Sequence, residues 1–405
     1  MMSPFFVTHS DRVSLAKKRY FEEGVLPSGL VSDAVFQSWA RCYRSHQRPT
    51  DRIEFQPVSV SRSQLALQKN RVLHEAWLEE LPALGAALGS ASCSAILTEA
   101  NGVLIGVTPS GNHNQSIIPV AHRVGINLSE EYVGTTAPSI VARTGKQACV
   151  LGSEHFYESV STMYCTAAPI RNIQGELAGI LDISSEGSSF HFDPSAVVGL
   201  YAASIENRLM IAQSHNHLIV RFQFISAILD TPMVGIIGFD LTGKLVWVNS
   251  VASNLLGVHV SQTERVSRCV EDIFECNFSQ LASLSGRGLT SQRLSNGLHI
   301  FLTCELSAKE YSTESLGLPF KVSDIYRDTL EVSHIPVEPV EAISENQNDP
   351  ISDSLKQADA HLIQKYLVEF NGNVSQVAKR LKVSRGLIYR RLELLNIDPA
   401  LFKKK

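Results

Sequence analysis

The stretch MYCTAAPIRNIQGELAGILDISS, residues 163–185, decides the fold prediction for the larger part of this chain. Met163–Ile170 has the pattern of an apolar strand, and Asn172–Glu176 carries a turn at Gly175. Leu177–Ile183 is almost continuously apolar, which is typical of a strand buried on both faces. We therefore predict an antiparallel pair whose second strand lies at the centre of a sheet.

Further strand patterns lie upstream of this pair. Ala148–Leu151 is a short apolar strand. Cys93–Leu97 and Val103–Gly106 flank an Asn101-Gly102 turn, the dipeptide that favours a tight hairpin. With the helical patterns between them, these strands predict an antiparallel sheet covered by helices, which is an α+β sensor-like domain.

Four separated motifs give this region a family resemblance. They are Gly134-Thr135-Thr136-Ala137, Gly152-Ser153-Glu154-His155, Cys165-Thr166-Ala167-Ala168-Pro169-Ile170, and Gly175 through Ser184. The segment closely resembles the GAF domain of acetoin-catabolism-type bacterial transcriptional regulators, and Val31–Cys42 resembles the short helix that opens those proteins. The resemblance covers most of residues 30–210. It implies a small-molecule effector in a mainly apolar pocket, and we predict His155, Tyr164 and Cys165 beside it.

Asp193–Leu229 is predicted to be one long helix. Its apolar stripe has two interpretations of equal weight, a parallel dimer seam or packing against the domain's own sheet. The stripe consists of Val198, Ala202, Ile205 and Leu209.

The next region resembles the opening of a PAS domain. Met233–Phe239 and Lys244–Val248 form a predicted hairpin around Asp240–Gly243, and a helix follows from Asn249 to Gly257. Gly297–Glu305 is a later strand candidate. Residues 308–350 are rich in Ser, Pro, Glu and Asn with little periodicity, which is typical of a linker.

The C-terminal region has the pattern of a helix-turn-helix. Leu355–Phe370 carries an apolar stripe and ends at Asn371-Gly372, a helix-stop signal. Two further helices are predicted, the last beginning after the N-cap Ser384 and burying Ile388, Leu392 and Leu395. An ordinary solvated basic helix is the alternative, but the caps, the turn and the basic face agree on DNA binding.

Asn373–Ile397 resembles the Fis-type helix-turn-helix. The matching positions are Asn373, Ser375, Ala378, Leu381, Val383, Ser384, Arg385, Ile388, Tyr389, Arg390, Arg391 and Leu392. The family's turn glycine is Lys382 here, which at a positive φ costs about 1 kcal/mol. We predict base and phosphate contacts from the last helix and phosphate contacts at the start of the helix before it. The predicted DNA-binding residues are Asn373, Ser375, Ser384, Arg385, Tyr389, Arg390 and Arg391.

Charge supports an anionic partner for this end of the chain. Residues 371–405 hold nine cations and two anions, a balance of +7, whereas the whole chain carries −4 and the remainder therefore −11. The N-terminus has no signal-peptide pattern, and no apolar run reaches the ~20 residues of a membrane helix. The seven cysteines are scattered, which is typical of a protein in a reducing compartment. These features predict a cytoplasmic protein without membrane contact.

Relatives with this domain order commonly place an AAA+ ATPase before the helix-turn-helix. The only near match to its phosphate loop is GFDLTGKL, Gly238–Leu245, where Leu245 replaces the magnesium-binding hydroxyl. The resemblance thus implies a regulator that acts without this ATPase. The alternative is a shortened paralogue that modulates a full-length activator by heteromerisation.

Enzymatic and metal-dependent functions are not expected. A methionine-sulfoxide reductase would need an exposed thiolate, whereas Cys165 lies in an apolar strand, and His155 has no second His or Cys at ligand spacing. We predict no catalytic residue, metal or cofactor. The expected partners are operator DNA, a small effector, a second copy in a homodimer, and RNA polymerase or a full-length paralogue. The predicted domains are an N-terminal helical segment 1–75, a GAF-like domain 76–212, a PAS-like domain 213–307, a linker 308–350 and a Fis-type domain 351–405.

Overall fold

The computed structural model describes residues 8–89, 93–108, 115–258, 268–307, Leu367, Phe370 and 373–380. These residues belong to two compact units that divide between residues 316 and 317. The first unit contains two antiparallel five-stranded sheets with helices packed on them. This is the predicted α+β class with two antiparallel-sheet domains.

The first sheet has the spatial order β2-β1-β5-β4-β3. Its strands are Cys93–Glu99 (β1), Leu104–Val107 (β2), Ala148–Leu151 (β3), Met163–Arg171 (β4) and Leu177–Glu186 (β5). β5 is central because β1 and β4 pair with it on either side, as its continuous apolar character predicts. The predicted hairpin is also present, and Gly102 at its turn has a φ of 88° that only glycine adopts readily.

Helices cover both faces of this sheet. They are His9–Lys17 (α1), Asp33–Arg44 (α2), Val60–Lys69 (α3), Arg71–Leu88 (α4), Ile118–Ala121 (α5), Glu130–Val133 (α6), Ala137–Thr144 (α7) and Pro194–Ala212 (α8). A π-helical turn, Lys18–Glu22, and two 3-10 turns, Gly152–Glu154 and Glu158–Val160, complete the domain. α4 and α8 share a core on one face, whereas α1, α2 and α7 share a core on the other.

The apolar stripe of α8 packs within its own chain. Val198, Ala202, Ile205 and Leu209 are all at most 2% exposed and share a core with α4 and with Leu181 of β5. The dimer-seam interpretation of this stripe is therefore wrong. The physical reason is that a near-heptad apolar spacing suits any apolar surface, and here the sheet and α4 provide it.

The prediction of one long helix over Asp193–Leu229 was wrong, because α8 ends at Ala212. Asn216 takes a left-handed φ of 56°, and Leu218–Gln223 then forms a strand, β6. The segment LIVRFQ is rich in residues that pack well on a pleated sheet. A short apolar run of this kind is compatible with either a helix or a strand. The segment is a strand because it pairs with a neighbouring strand on each side.

The second sheet has the order β8-β7-β6-β10-β9, with β6 at its centre. Its other strands are Gly235–Phe239 (β7), Leu245–Val248 (β8), Thr290–Arg293 (β9) and His299–Leu306 (β10). The helices are Ser250–Leu256 (α9), Val270–Ile273 (α10) and Phe278–Ala282 (α11), with a 3-10 turn at Ser226–Ile228. The predicted β7–β8 hairpin and the helix capped by Asn249 are both present.

In the second unit the structure describes one helix, Val374–Arg380 (α12). Val374 and Val377 are buried, as the helical pattern predicts, and Leu367 is buried as well. The side-chain oxygen of Asn373 accepts a hydrogen bond from the Gln376 amide at 3.3 Å, which is an N-cap contact. The predicted third helix lies outside the described residues. Among the described helices, none is long and apolar enough to cross a membrane.

Candidate functional site

A cavity of about 40 Å³ lies between the first sheet and the segments that cover its α2–α7 face. Its lining is mostly apolar, with residues such as Ile96, Leu128, Val133 and Met163. This volume is the space open to the centre of a water-sized sphere, and a single water needs roughly 10–15 Å³ of it. The cavity therefore accepts a molecule of a few heavy atoms. It has the composition of a small-ligand site, apolar with a few polar groups.

Those polar groups form a hydrogen-bonded chain on the sheet side of the cavity. Nε2 of His155 lies 3.4 Å from Sγ of Cys165, and Oγ of Ser184 lies 3.2 Å from the same sulfur. The Ser184 hydroxyl also donates to Oδ2 of Asp182 at 2.6 Å. All four residues line the cavity, and each is at most 6% exposed.

Strand alternation brings three of these side chains together. Cys165 of β4 pairs in register with Ser184 of β5, and Asp182 lies two residues before Ser184 on the same face. The loop that carries His155 is fixed by contacts with the N-terminal helices. Trp39 of α2 donates to the Glu154 carbonyl at 2.7 Å, and Lys17 of α1 donates to the His155 carbonyl at 2.8 Å.

The protonation states follow from burial. Burial lowers the pKa of His155 to about 4, so the ring is neutral near pH 7. Its Nδ1 donates to the Gly152 carbonyl at 2.9 Å, which leaves Nε2 as an acceptor facing the Cys165 thiol. Burial also raises the pKa of the Cys165 thiol well above its usual value. A buried protonated thiol cannot supply the thiolate that a reductase needs.

Asp182 is the unusual member of the chain. It is 1% exposed, and burial raises the pKa of its carboxyl to about 7, although the Ser184 hydrogen bond lowers it. The second oxygen, Oδ1, has no hydrogen-bond partner among the described residues. Buried carboxylates without a full set of partners are costly and are common at functional sites.

Replacing Asp182 by leucine should change how stability depends on pH. Because the pKa of Asp182 rises from about 3.9 unfolded to about 7 folded, its favourable contribution is complete below the unfolded pKa and is lost as the pH rises through about 7. Three titratable groups share its cavity wall. Burial lowers the pKa of His122 and of His155 to about 4, an effect of opposite sign, and Cys165 stays protonated.

The histidines are present in both proteins, so subtraction removes their effect. The free energy of unfolding of Asp182→Leu minus that of the wild type should increase from about pH 5 to about pH 8. Urea unfolding at the two pH values measures it. A difference that stays constant or falls would contradict the raised pKa of Asp182.

The structure brings together two of the three residues predicted for the ligand pocket. His155 and Cys165 line the cavity. Tyr164 does not, because it alternates with Cys165 to the other face of β4 and its ring lies beside Gly152. Asp182, Ser184 and His122 were missed. A signal for the first two exists in the sequence, since Asp182 and Ser184 are polar residues two apart in an otherwise apolar strand.

The predicted DNA-binding residues mostly lie outside the described residues. This applies to Ser384, Arg385, Tyr389, Arg390 and Arg391, and to the side chain of Ser375. Asn373 is described, and its oxygen caps α12. Within the described ranges, no group of three or more His, Cys, Asp or Glu side chains is placed to hold a metal ion.

Two family models match the chain. "MimR, N-terminal domain" matches residues 8–204, which include the whole first sheet and its cavity. "Bacterial regulatory protein, Fis family" matches residues 354–394, which include most of the predicted helix-turn-helix. The matches confirm the resemblance that the motifs of both regions predicted.

Curated relatives agree with these matches. The "Acetoin catabolism regulatory protein" of Cupriavidus necator is 26% identical over 61% of this chain and 38% of its own length. The "Acetoin dehydrogenase operon transcriptional activator AcoR" of Bacillus subtilis is 27% identical over 51% of this chain and 34% of its own. The chain thus spans little more than a third of the length of these relatives.

Among solved structures, the crystal structure of the E. coli DhaR(N)–DhaL complex is similar over 67% of this chain and 99% of that chain. The TM-score is 0.43 and the identity is 12%.

Proposed function

We propose that this chain, a transcriptional regulator related to the acetoin-catabolism type, binds operator DNA under the control of a small metabolite and acts without an ATPase domain. The proposal is supported by the matches to the two family models and by the similarity to transcriptional regulators. The observation that carries the proposal is the buried polar chain from His155 to Asp182 at the wall of an apolar cavity. Such an arrangement gives a small ligand both burial and orientation.

The size and chemistry of the cavity support a small metabolite. About 40 Å³ accommodates a molecule of a few heavy atoms. Two of the relatives are named as regulators of acetoin metabolism, and acetoin is a four-carbon hydroxyketone. We propose an effector of that size class for this chain.

The DNA-binding surface is proposed from the Fis-family match and the local charge. Ser384, Arg385, Tyr389, Arg390 and Arg391 are assigned to base and phosphate contacts, with Ser375 and the amide group of Asn373 at phosphate. The +7 balance of residues 371–405 favours this surface. A homodimer would place two such helices on a palindromic site, since one short recognition helix gives little affinity.

We retain the domain boundaries 1–75, 76–212, 213–307, 308–350 and 351–405. The proposal that no ATPase acts between the sensors and the Fis-type domain is supported by the stretch Gly238–Leu245. This near match to a phosphate loop runs through the β7–β8 hairpin, whereas a phosphate loop connects a strand to a helix. The protein would then regulate by occupying DNA or by contacting RNA polymerase.

Selection of genomic DNA fragments by the purified protein tests the proposal. We expect enrichment of one palindrome, with Arg385→Ala weakening its binding by about 1–3 kcal/mol in a titration at fixed salt. The matched control is Arg62→Ala in α3, which removes the same charge from an exposed site in the sensor region.

Equal affinity of wild type and Arg385→Ala would remove Arg385 from the interface. No enrichment at all, together with co-purification of a full-length activator, would replace the proposal with the heteromerisation alternative. We test this alternative because the chain matches little more than a third of the length of these relatives.

A further inference from the structure

Four described segments enclose the cavity together with the first sheet. They are residues 51–56 between α2 and α3, α5 with its flanking residues, α6 with the start of α7, and the loop that carries His155. Each of them contributes side chains to the cavity lining. They differ in how firmly they are held, and that difference indicates where a small molecule enters.

Three of these segments are held by polar contacts with the rest of the domain. Glu186 at the end of β5 accepts hydrogen bonds from the backbone amides of residues 116–118 at 2.8–3.1 Å, which fixes the start of α5. Glu130 at the start of α6 accepts two hydrogen bonds from the Arg41 guanidinium, at 2.7 and 2.8 Å. The His155 loop is held by the hydrogen bonds that it accepts from α1 and α2.

The fourth segment, residues 51–56, is held differently, and we call it the strap. It forms no helix or strand, and the hydrogen bonds of its backbone amides reach only Arg48 and Glu54 among the described residues. From elsewhere in the described part of the domain, its one hydrogen bond is donated by the Arg123 guanidinium to the Phe55 carbonyl. The distance is 3.5 Å, which is long for a hydrogen bond.

Side chains of the strap alternate between the cavity and solvent. Ile53 and Phe55 line the cavity and are partly buried. Arg52, Glu54 and Gln56 are exposed. Two apolar side chains therefore provide most of the contact that keeps the strap on the cavity.

The chain is anchored just outside each end of the strap. The carbonyl of Pro49 accepts a hydrogen bond from the Glu158 amide at 2.9 Å. The amide of Val58 donates to the Gly125 carbonyl at 2.8 Å. Fixed ends and a loosely held middle allow the strap to open locally while the sheet stays folded.

We propose that the strap is the gate of the cavity, and that small molecules enter when Ile53 and Phe55 move outward. Opening breaks one long hydrogen bond and exposes two partly buried side chains. Displacement of α5 or α6 would instead remove the hydrogen-bond donors of a carboxylate, which costs more. The gate goes beyond the proposed function, because it concerns access to the cavity whichever ligand binds there.

Labelling of Cys165 in the full chain by methyl methanethiosulfonate tests the gate. Cys165 lines the cavity and is 6% exposed, so its thiol reports the entry of a small uncharged reagent. The thiol loses its proton to the buffer, its sulfur forms a disulfide bond with the methylthio group, and the reagent's sulfur–sulfur bond breaks to release methanesulfinate. Peptide mass spectrometry separates Cys165 from the rest of the seven cysteines.

Phe55→Ala should raise the labelling rate of Cys165 about tenfold or more, because alanine removes most of the apolar contact that keeps the strap closed. Ile53→Ala removes the other contact and should act in the same direction, which keeps the test valid if one variant does not fold. Cys304, which is buried in the second sheet, is the internal reference and should keep its labelling rate.

Phe192→Ala is the matched control. Phe192 is also partly buried, but it packs against the core that α4 and α8 share on the other face of the sheet. This variant should leave the labelling rate of Cys165 within about threefold of the wild-type rate, because it does not loosen the strap.

Two results would overturn the gate. Labelling of Cys165 at the wild-type rate in both strap variants would place the entry at another segment. An equal increase in Phe192→Ala would show that unfolding of the whole domain exposes Cys165. Since the reagent needs no effector, either result leaves metabolite control and operator binding to their own tests.

Discussion

Replacing Glu206 by leucine is expected to lower the free energy of unfolding by about 1–3 kcal/mol, since it removes the acceptors of two part-buried backbone amides. Glu206 lies in α8 and is 2% exposed. Its Oε2 accepts from the amide of Arg171 at the end of β4, and its Oε1 accepts from the amide of Ser250 at the start of α9, both at 2.9 Å. One carboxylate therefore connects the first sheet to the second domain.

Chemical denaturation of the variant and the wild type measures this effect. Leu200→Ala is the matched control on the same helix, because Leu200 is 39% exposed and a surface substitution of this kind usually changes stability by no more than about 0.5 kcal/mol. Glu206→Gln keeps one acceptor oxygen and should fall between the wild type and the leucine variant. A leucine variant as stable as the control would show that the two amides find other acceptors.

The same contact is a candidate route between ligand and DNA. β4 carries Cys165 at the cavity and ends at Arg171, whose amide binds Glu206. Under the proposed control by a metabolite, a folded Glu206→Gln protein should bind the effector normally, while the effector changes its operator affinity less than in the wild type. The double comparison, with and without effector, measures the coupling free energy directly.

Gly238→Ala is expected to lower the free energy of unfolding by about 1–3 kcal/mol, because the added methyl group overpacks the core of the second sheet. A Cβ at position 238 would lie 2.1 Å from Nε1 of Trp247 and within 2.7 Å of two further atoms of its ring. Trp247 is fully buried, and its Nε1 donates to His217 at 3.3 Å. The ring cannot move aside without breaking this hydrogen bond and shifting the core around it.

Thermal unfolding of Gly238→Ala provides the measurement, with Gly85→Ala as a control of opposite sign. Gly85 is an exposed position inside α4 and an added Cβ meets nothing within 4 Å there. Alanine at this helical position should stabilise by about 0.5–1 kcal/mol. A Gly238→Ala protein that melts with the wild type would mean that the Trp247 ring has an alternative position of equal energy.

Much of the first domain was predictable because its signals are local. The Asn101-Gly102 turn and the continuous apolar run of β5 each specify an element without reference to distant residues. The pocket residues His155 and Cys165 were predicted from motifs in the same way. Asp182 was not, because only the packing of the sheet against its covering segments shows that this carboxyl lines the cavity.

The residues alone predicted the resemblance to acetoin-catabolism-type regulators, the α+β class, the central position of β5 and the basic character of the C-terminal region. Three features became evident from the fold: Leu218–Gln223 is a strand, α8 packs against its own sheet, and Tyr164 lies away from the cavity. The physical reason is common to all three. Local sequence patterns show which residues are apolar and how they recur. Strand pairing, and the alternation of side chains between the two faces of a sheet, determine which surface each of these residues contacts.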